Sequence, residues 1–142
     1  YWFSAGQDPR GRYFLYQAHR TNHVFEANAG YDFRFLSVQW FTVFGGNDGL
    51  NNNGRRAYSS YFELSAPFRW VTCDWTATVG AVPYATSLYA TKGFAVTNIT
   101  LKACKTFAVK EKIDFPVYAS LTANPCSQHG YLVVGFAIRP RL

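Results

Sequence analysis

The chain has 142 residues, a formal net charge of +6 and a pI of about 9.4, with 19% aromatic but only 15% charged residues. This length allows one domain, and the charged share is well below the quarter that is usual in soluble domains, so we expect much buried or lipid-facing surface. Of the 14 Lys and Arg residues, only Lys102 lies in the interior of a predicted strand, and the others lie at strand ends or in loops. A nucleic-acid-binding module, which would carry basic residues along a groove or sheet face, is therefore disfavoured.

No apolar run approaches the ~20 residues of a membrane-spanning helix, and the mean hydropathy is -0.12. A membrane protein of this hydropathy would have to be a β-barrel, because barrel strands alternate apolar and polar side chains. The chain opens on the strand-like string Tyr1-Trp2-Phe3, without the charged and apolar regions of a signal peptide. We therefore expect residues 1–142 to form a single β-barrel domain that is an N-terminally truncated fragment.

Period-2 alternation of apolar and polar side chains predicts about eight strands, the first of them truncated. In chain order they cover 1–6, 21–33, 35–45, 57–68, 73–81, 93–105, 115–124 and 131–139. The central pair lies in AYSSYFELSAPFRWVTCDWTATVGAVP. Each of its strands has the length of about ten residues that a tilted strand needs to cross a bilayer. The pattern predicts an all-β fold, an antiparallel up-and-down meander that forms a transmembrane β-barrel or the C-terminal part of one.

The predicted connections alternate between tight turns and longer loops. The tight turns lie near 34, 69–72 and 106–112, with a Lys-rich turn over 106–114. The longer loops lie at 7–20, 46–56, 84–92 and 125–130. An up-and-down sheet places each set at one end, and outer-membrane barrels have short periplasmic turns and longer outer loops. Aromatic residues gather near both sets, as in the two interfacial girdles of a membrane barrel.

One face of the seven complete predicted strands carries no charged residue. The opposite face is polar and carries Glu26, Asp32, Glu63, Asp74 and Lys102. In a membrane barrel the apolar face would meet lipid and the polar face would line the lumen. In a soluble sandwich or lipocalin-like barrel the apolar face would be the core. We favour lipid, because the polar face has few charges for a solvated surface and the apolar face mixes Ala with large aromatic residues.

Five long strings between about Thr21 and Pro140 are YDFRFLSVQWFTVFGGNDG, RRAYSSYFELSAPF, DWTATVGAVPYATSLY, GFAVTNITLKA and NPCSQHGYLVVGFAIRP. Together they resemble an uncharacterised family of outer-membrane β-barrel proteins from Bacteroidetes. The resemblance implies a barrel in the bacterial outer membrane. It also implies a longer N-terminal part, with a signal peptide and earlier strands. It supplies no catalytic, cofactor-binding or substrate-binding residue.

Two groups of charged residues are the candidate functional residues. The polar-face charges named above are predicted to form a polar network in the lumen, because buried charges must be paired or hydrated. That network is either structural or the lining of a pore. The second group consists of basic residues at the predicted outer rim: Arg10, Arg12, Arg20, Arg55, Arg56 and Lys92. We hypothesise that some of them contact lipopolysaccharide phosphates, with ordinary solvated loop charge as the alternative.

We expect a non-enzymatic outer-membrane protein, porin-like or structural, without a metal or cofactor. The sequence contains no P-loop, dinucleotide fingerprint, nucleophile elbow or zinc signature. His19 and His23 are four residues apart but are not on a helix, so a metal site is not predicted. Two alternatives stay open. One is a soluble all-β ligand-binding module, and the other is an outer-membrane hydrolase using Ser127 and His129, for which no acidic partner is evident.

Overall fold

The computed structural model consists of β-strands and their connections, and it describes residues 1–3, 12–17, 20–109 and 113–140. In chain order the strands are β1 (Trp2–Phe3), β2 (His23–Asp32), β3 (Ser37–Gly46), β4 (Ser60–Trp70), β5 (Cys73–Val82), β6 (Ala95–Val109), β7 (Ile113–Asn124), β8 (His129–Phe136) and β9 (Arg139–Pro140). These ranges contain no helix, and hence no helical segment of the length and apolarity needed to cross a membrane.

The strands form one sheet in which each strand neighbours the next in sequence, from β1 to β8, while β9 pairs with β7. The pairings of β1 with β2, β6 with β7 and β7 with β8 are antiparallel. The predicted all-β, antiparallel up-and-down meander is therefore confirmed. The path ends at β1 and β8, so over the described ranges the sheet is not closed.

The connection between β6 and β7 is shorter than the sequence predicts. Instead of a turn over 106–114, β6 continues to Val109 and β7 begins at Ile113. These two residues pair with each other, and Phe107 pairs with Phe115. The turn prediction was wrong because it gave weight to the lysines, whereas the aromatic and β-branched residues between them favour strands.

Lys102 is not the only basic residue inside a strand, contrary to the prediction. Arg69 lies in β4, Lys105 in β6 and Arg139 in β9. Lys105 donates a hydrogen bond of 3.2 Å from Nζ to Thr72 Oγ1, and its Nζ lies 5.5 Å from the centroid of the Phe107 ring. A long lysine side chain can cover apolar surface while its charge reaches a polar group, so the strand tolerates it.

The chain divides into two compact units. Unit 1 comprises 1–31, 39–62 and 81–95, and unit 2 comprises 32–38, 63–80 and 96–142. Among the described residues, the buried aliphatic side chains of unit 1 are few and small: Val24, Val43, Ala57, Ala81 and Val82. In unit 2, Pro116 of β7 is buried.

Hydroxyl groups form much of the interior of unit 1. Ser59 Oγ lies 2.5 Å from Thr86 Oγ1, and both residues are almost fully buried. Ser60 Oγ lies 2.6 Å from Tyr84 Oη and 2.9 Å from Thr42 Oγ1. Buried hydroxyls are costly without partners, so these mutual hydrogen bonds offset the cost of burying polar groups in unit 1.

In unit 2 the register of β6, β7 and β8 determines which side chains share a face. Leu121 of β7 lies opposite Leu101 of β6 and Leu132 of β8. One residue earlier in β7, Ser120 lies opposite Lys102 and Val133. Directly opposed residues of antiparallel strands lie on the same face. One face of this part of the sheet is therefore mainly apolar and the other is mainly polar, as the alternation predicts. The prediction that the apolar face carries no charge was wrong, because β6 continues far enough to place Lys105 on it, opposite Val117.

A two-residue turn joins β4 to β5. Its residues, Val71 and Thr72, both have positive φ, at 48° and 60°. Two positive values in succession are typical of a type I′ turn, which favours the sequence Asn-Gly. Residues branched at Cβ are strained in this region of φ and ψ, so the turn stores conformational strain.

Replacing this turn by Val71→Asn and Thr72→Gly should raise the free energy of unfolding by about 1–2 kcal/mol, because both strained residues are removed. Urea unfolding in detergent micelles measures the change. Val71→Ala is the matched control and should give a smaller gain, since Ala has no preference for positive φ. An Asn-Gly variant no more stable than the parent would contradict the presence of strain.

Candidate functional site

The apolar face of β6, β7 and β8 is exposed rather than buried in a core. Along one row across the three strands, Leu101, Leu121 and Leu132 are 42%, 59% and 70% exposed. Val134, which lies opposite Ala119 in the next row, is exposed as well. Soluble monomers rarely expose contiguous apolar patches of more than a few hundred Å². A face of this kind is typical of a surface that binds a protein, a ligand or lipid.

Unit 1 carries the same kind of surface. Trp40 and Phe44 of β3 are exposed, although both are large and apolar. The Trp40 ring stacks on Phe62 of β4 with a centroid distance of 5.9 Å, and Phe62 lies 6.4 Å from Phe94. On the opposite face, the Phe41 ring contacts the Tyr61 ring, and Phe41 is only half-exposed. The large exposed rings therefore lie on the face that the alternation assigns to the apolar side.

Exposed aromatic residues also lie next to the connections of both units. In unit 2, the rings near the tight turns are Phe33, Phe35, Phe68, Trp70 and Phe107. In unit 1, those near the longer loops are Phe44, Tyr58, Tyr84 and Phe94. Aromatic side chains are enriched where hydrocarbon meets water, because they combine an apolar ring with polar or polarisable edges. Each unit thus has its own exposed aromatic band.

Two of the five predicted lumen residues are brought to one site. Asp74 and Lys102 line a common groove of unit 2. Asp32 is exposed and accepts a 2.7 Å hydrogen bond from a backbone N–H of the turn that follows β2. The remaining two are half-buried, Glu26 in unit 1 and Glu63 in unit 2.

The groove of unit 2 has a volume of about 310 Å³ and lies on the polar face. Besides Asp74 and Lys102, its lining includes Tyr118 of β7 and Arg139 of β9. Asp74 Oδ1 lies 3.8 Å from Arg69 Nε, and both side chains are more than 70% exposed. This ion pair is hydrated and contributes little to stability, but it places charge at the groove.

The described residues of the predicted outer rim all belong to unit 1. Arg12, Arg20, Arg55 and Lys92 are exposed, while Arg56 is half-buried. Arg10 lies outside the described residues. Arg56 forms an ion pair with an acidic side chain that is buried.

Asp48 and Arg56 clamp the loop between β3 and β4. Asp48 is 2% exposed in its side chain, and its Oδ2 lies 3.4 Å from Arg56 Nε. Its Oδ1 accepts backbone hydrogen bonds from Gly49 at 2.7 Å and from Ser59 at 3.1 Å. The Arg56 guanidinium also lies 5.3 Å above the Tyr58 ring. The carboxylate therefore ties together residues at both ends of the loop, a role that sequence reasoning did not assign to it.

Tyr89 lies near this clamp. Burial raises the pKa of its hydroxyl above the ordinary value of 10, and the negative charges of Glu26 and Asp48 act in the same direction. Its ring lies 6.3 Å from that of Tyr61. Tyr89 therefore stays a neutral hydrogen-bonding group at pH values where an exposed tyrosine begins to ionise.

His23 is fully buried in unit 1 and is surrounded by tyrosines. Its Nδ1 lies 2.6 Å from Tyr1 Oη, and its Nε2 donates to the Tyr13 carbonyl oxygen. The Tyr16 ring stacks on it at 4.2 Å. Both ring nitrogens are used within the protein, and His19 lies outside the described residues. The described ranges contain no group of three or more His, Cys, Asp or Glu side chains placed to hold a metal ion.

Comparison of the chain with protein-family models, curated proteins and solved structures finds no match. The functional proposal therefore rests on the exposed apolar face, the polar groove and the loop clamp. Of these, the first follows directly from the alternation of side chains. The groove depends on Tyr118 and Arg139, and the clamp depends on Asp48. In the local sequence, Tyr118 is only a polar-face position, Arg139 only a strand end, and Asp48 only part of a Gly- and Asn-rich loop.

Proposed function

We propose that this chain is a β-barrel protein of the bacterial outer membrane, or the C-terminal part of one, with a porin-like or structural role and no enzymatic activity. Lipid covers the apolar face, and the polar face lines the lumen. The resemblance to Bacteroidetes barrels agrees with this location. Backbone polar groups in lipid must be paired within the protein, and a barrel of antiparallel strands satisfies that requirement.

The observation that carries the proposal is the exposed row of Leu101, Leu121 and Leu132. Covering such side chains with hydrocarbon is favourable by roughly 25 cal/mol for each Å² removed from water. The competing function, a soluble ligand-binding module, requires this face to be the protein's own core. Side chains with about half of their surface exposed are not packed as in a sealed core, and this exposure supports lipid as the neighbour in the proposal.

Exposed basic residues of unit 1 are the proposed contacts for lipopolysaccharide phosphates. Arg20, Arg55 and Lys92 are the candidates, whereas Arg56 is already paired with Asp48. Arg55→Gln should weaken binding to lipopolysaccharide vesicles more than Arg56→Gln does. Unchanged binding in Arg55→Gln would remove this residue from the proposed contact.

Fluorescence quenching by lipid tests the membrane proposal. A variant that keeps Trp40 as its only tryptophan, with Trp2, Trp70 and Trp75 replaced by Phe, is reconstituted in nanodiscs of brominated phosphatidylcholine. Bromine on the acyl chains should quench Trp40 strongly, because this exposed ring lies on the lipid side. The matched control moves the indole by one residue, with Trp40→Phe and Phe41→Trp, and should be quenched much less.

Two outcomes would sink the proposal. One is equal quenching of the two variants, which would mean that neither face is preferred by lipid. The other is purification of the parent chain as a soluble monomer without detergent. The second outcome would favour the ligand-binding module.

A further inference from the structure

The groove of unit 2 is built from four strands and combines several kinds of polar group. Thr76 comes from β5, Lys102 and Cys104 from β6, Tyr118 from β7 and Arg139 from β9. The register places Cys104 directly opposite Tyr118, so both lie on the polar face. At about 310 Å³, the groove is at the small end of the range for ligand sites in proteins.

A glycine leaves room for one of the lining side chains. Gly135 of β8 lies opposite Tyr118, and a Cβ atom at this position would come within 2.5 Å of the Tyr118 hydroxyl oxygen. The Tyr118 ring therefore occupies the space that a side chain at position 135 would need. Lys102 Nζ lies 5.1 Å from the centroid of the same ring. Cation–π attraction of this kind restrains the ammonium group over the groove before any ligand arrives.

Cations outnumber carboxylates around the groove. Lys102 and Arg139 belong to the lining, and the lining carboxylate, Asp74, faces Arg69. Asp114 lies opposite Arg139 in the pairing of β7 with β9. Among the described lining residues there are thus two cations and one carboxylate, so the local field favours an incoming negative charge.

We propose that this groove binds a small oxyanion, the phosphate or carboxylate group of a solute, between Lys102 and Arg139. Lysine and arginine bind such groups through charge-assisted hydrogen bonds, which are stronger than neutral ones. The Thr76 and Tyr118 hydroxyls are further donors in the same lining. The proposal goes beyond the membrane role and does not depend on it, since the groove belongs to the polar face alone.

Cys104 provides a reporter of occupancy. Cys73→Ser and Cys126→Ser leave it as the only cysteine of the chain. The protein is kept in non-ionic detergent at constant ionic strength, and the rate of Cys104 alkylation by N-ethylmaleimide is measured as sodium pyrophosphate is added. A saturable decrease of that rate is expected. The proposal would be overturned if neither millimolar pyrophosphate nor a phosphate-bearing lipid lowered this rate.

Charge variants in the same background test the assignment of residues. Lys102→Gln should raise the pyrophosphate concentration for half-protection by about tenfold, the equivalent of one lost charged hydrogen bond. Lys105→Gln is the matched control, because Lys105 lies on the other face of the same strand, and it should leave protection unchanged. If both variants weakened protection equally, the effect would come from net charge alone, and the proposed site would be overturned. Arg139→Gln, in a two-residue strand at an exposed position, repeats the test if Lys102→Gln does not fold.

A phosphate group could come from a free solute or from a lipid headgroup, and a parallel titration separates them. Short-chain phosphatidylglycerol, added below its micellar concentration, carries the phosphate on a lipid. Protection by pyrophosphate supports a solute, while protection by phosphatidylglycerol alone supports a headgroup in the same site. Failure of both ligands rejects the oxyanion site and leaves the quenching result for the apolar face unaffected.

Discussion

Arginine at position 134 is expected to destabilise the protein in a bilayer by about 2–4 kcal/mol, the cost of a cation on the lipid side near mid-depth. Arginine at position 133 is expected to cost much less. Val133 and Val134 are adjacent in β8, have the same side chain and are 52% and 67% exposed. Val133 lies opposite Ser120, whereas Val134 lies opposite Ala119. The two substitutions therefore differ mainly in the face that receives the charge.

Urea unfolding of both variants, refolded into phosphatidylcholine bilayers, measures the difference. In water, two half-exposed valines would tolerate arginine about equally, so the contrast arises only where lipid covers one face. Val134→Gln should give an intermediate loss, because it is polar without being charged. Equal stabilities of Val133→Arg and Val134→Arg would contradict contact between this face and lipid.

Asp48→Ala is expected to lower the free energy of unfolding by about 2–3 kcal/mol. The substitution removes the acceptor for two backbone N–H groups and leaves Arg56 without its buried partner, and such losses are costly. The loss is smaller than that of a fully buried pair, because Arg56 retains 37% exposure and water can solvate it. Asp48→Asn should lose about half as much, since its amide oxygen can still accept a backbone hydrogen bond.

The chain contains its own control for this experiment. Asp74 and Arg69 also form an acidic–basic pair, but their side chains are 75% and 77% exposed. Exposed pairs contribute at most about 1 kcal/mol, so Asp74→Ala should change stability little. Chemical unfolding of the two alanine variants under the same conditions compares the pairs. A loss in Asp74→Ala as large as that in Asp48→Ala would contradict the view that burial makes the clamp important.

The strands were predictable because alternation encodes them directly. Residues such as Leu101 and Lys102 differ in polarity and lie on opposite faces, so local sequence is enough to orient a strand. The prediction of a turn over 106–114 was wrong. The lysines of this segment suggest a loop, but Phe107 pairs with Phe115 and Val109 pairs with Ile113 across the two strands. Polarity alone does not decide between a turn and the end of a long strand.

The candidate sites were less predictable because they depend on pairings between distant segments. Arg139 reaches the groove through β9, which leaves the sequential order of the sheet to pair with β7. Asp48 becomes buried because its loop returns to place the Ser59 N–H against the carboxylate. A single Asp in a Gly- and Asn-rich loop resembles ordinary turn chemistry. Only the path of the backbone distinguishes a buried clamp from an ordinary turn residue at Asp48.

The uncovered side of β8 has a consequence for how the protein behaves in water. Within the described residues, this strand ends the pairing path and has one hydrogen-bonded neighbour of comparable length, β7. Its outward N–H and C=O groups, flanked by exposed apolar side chains, form a template on which another extended segment can add. In aqueous solution such a margin drives self-association, so folding yields should fall as protein concentration rises.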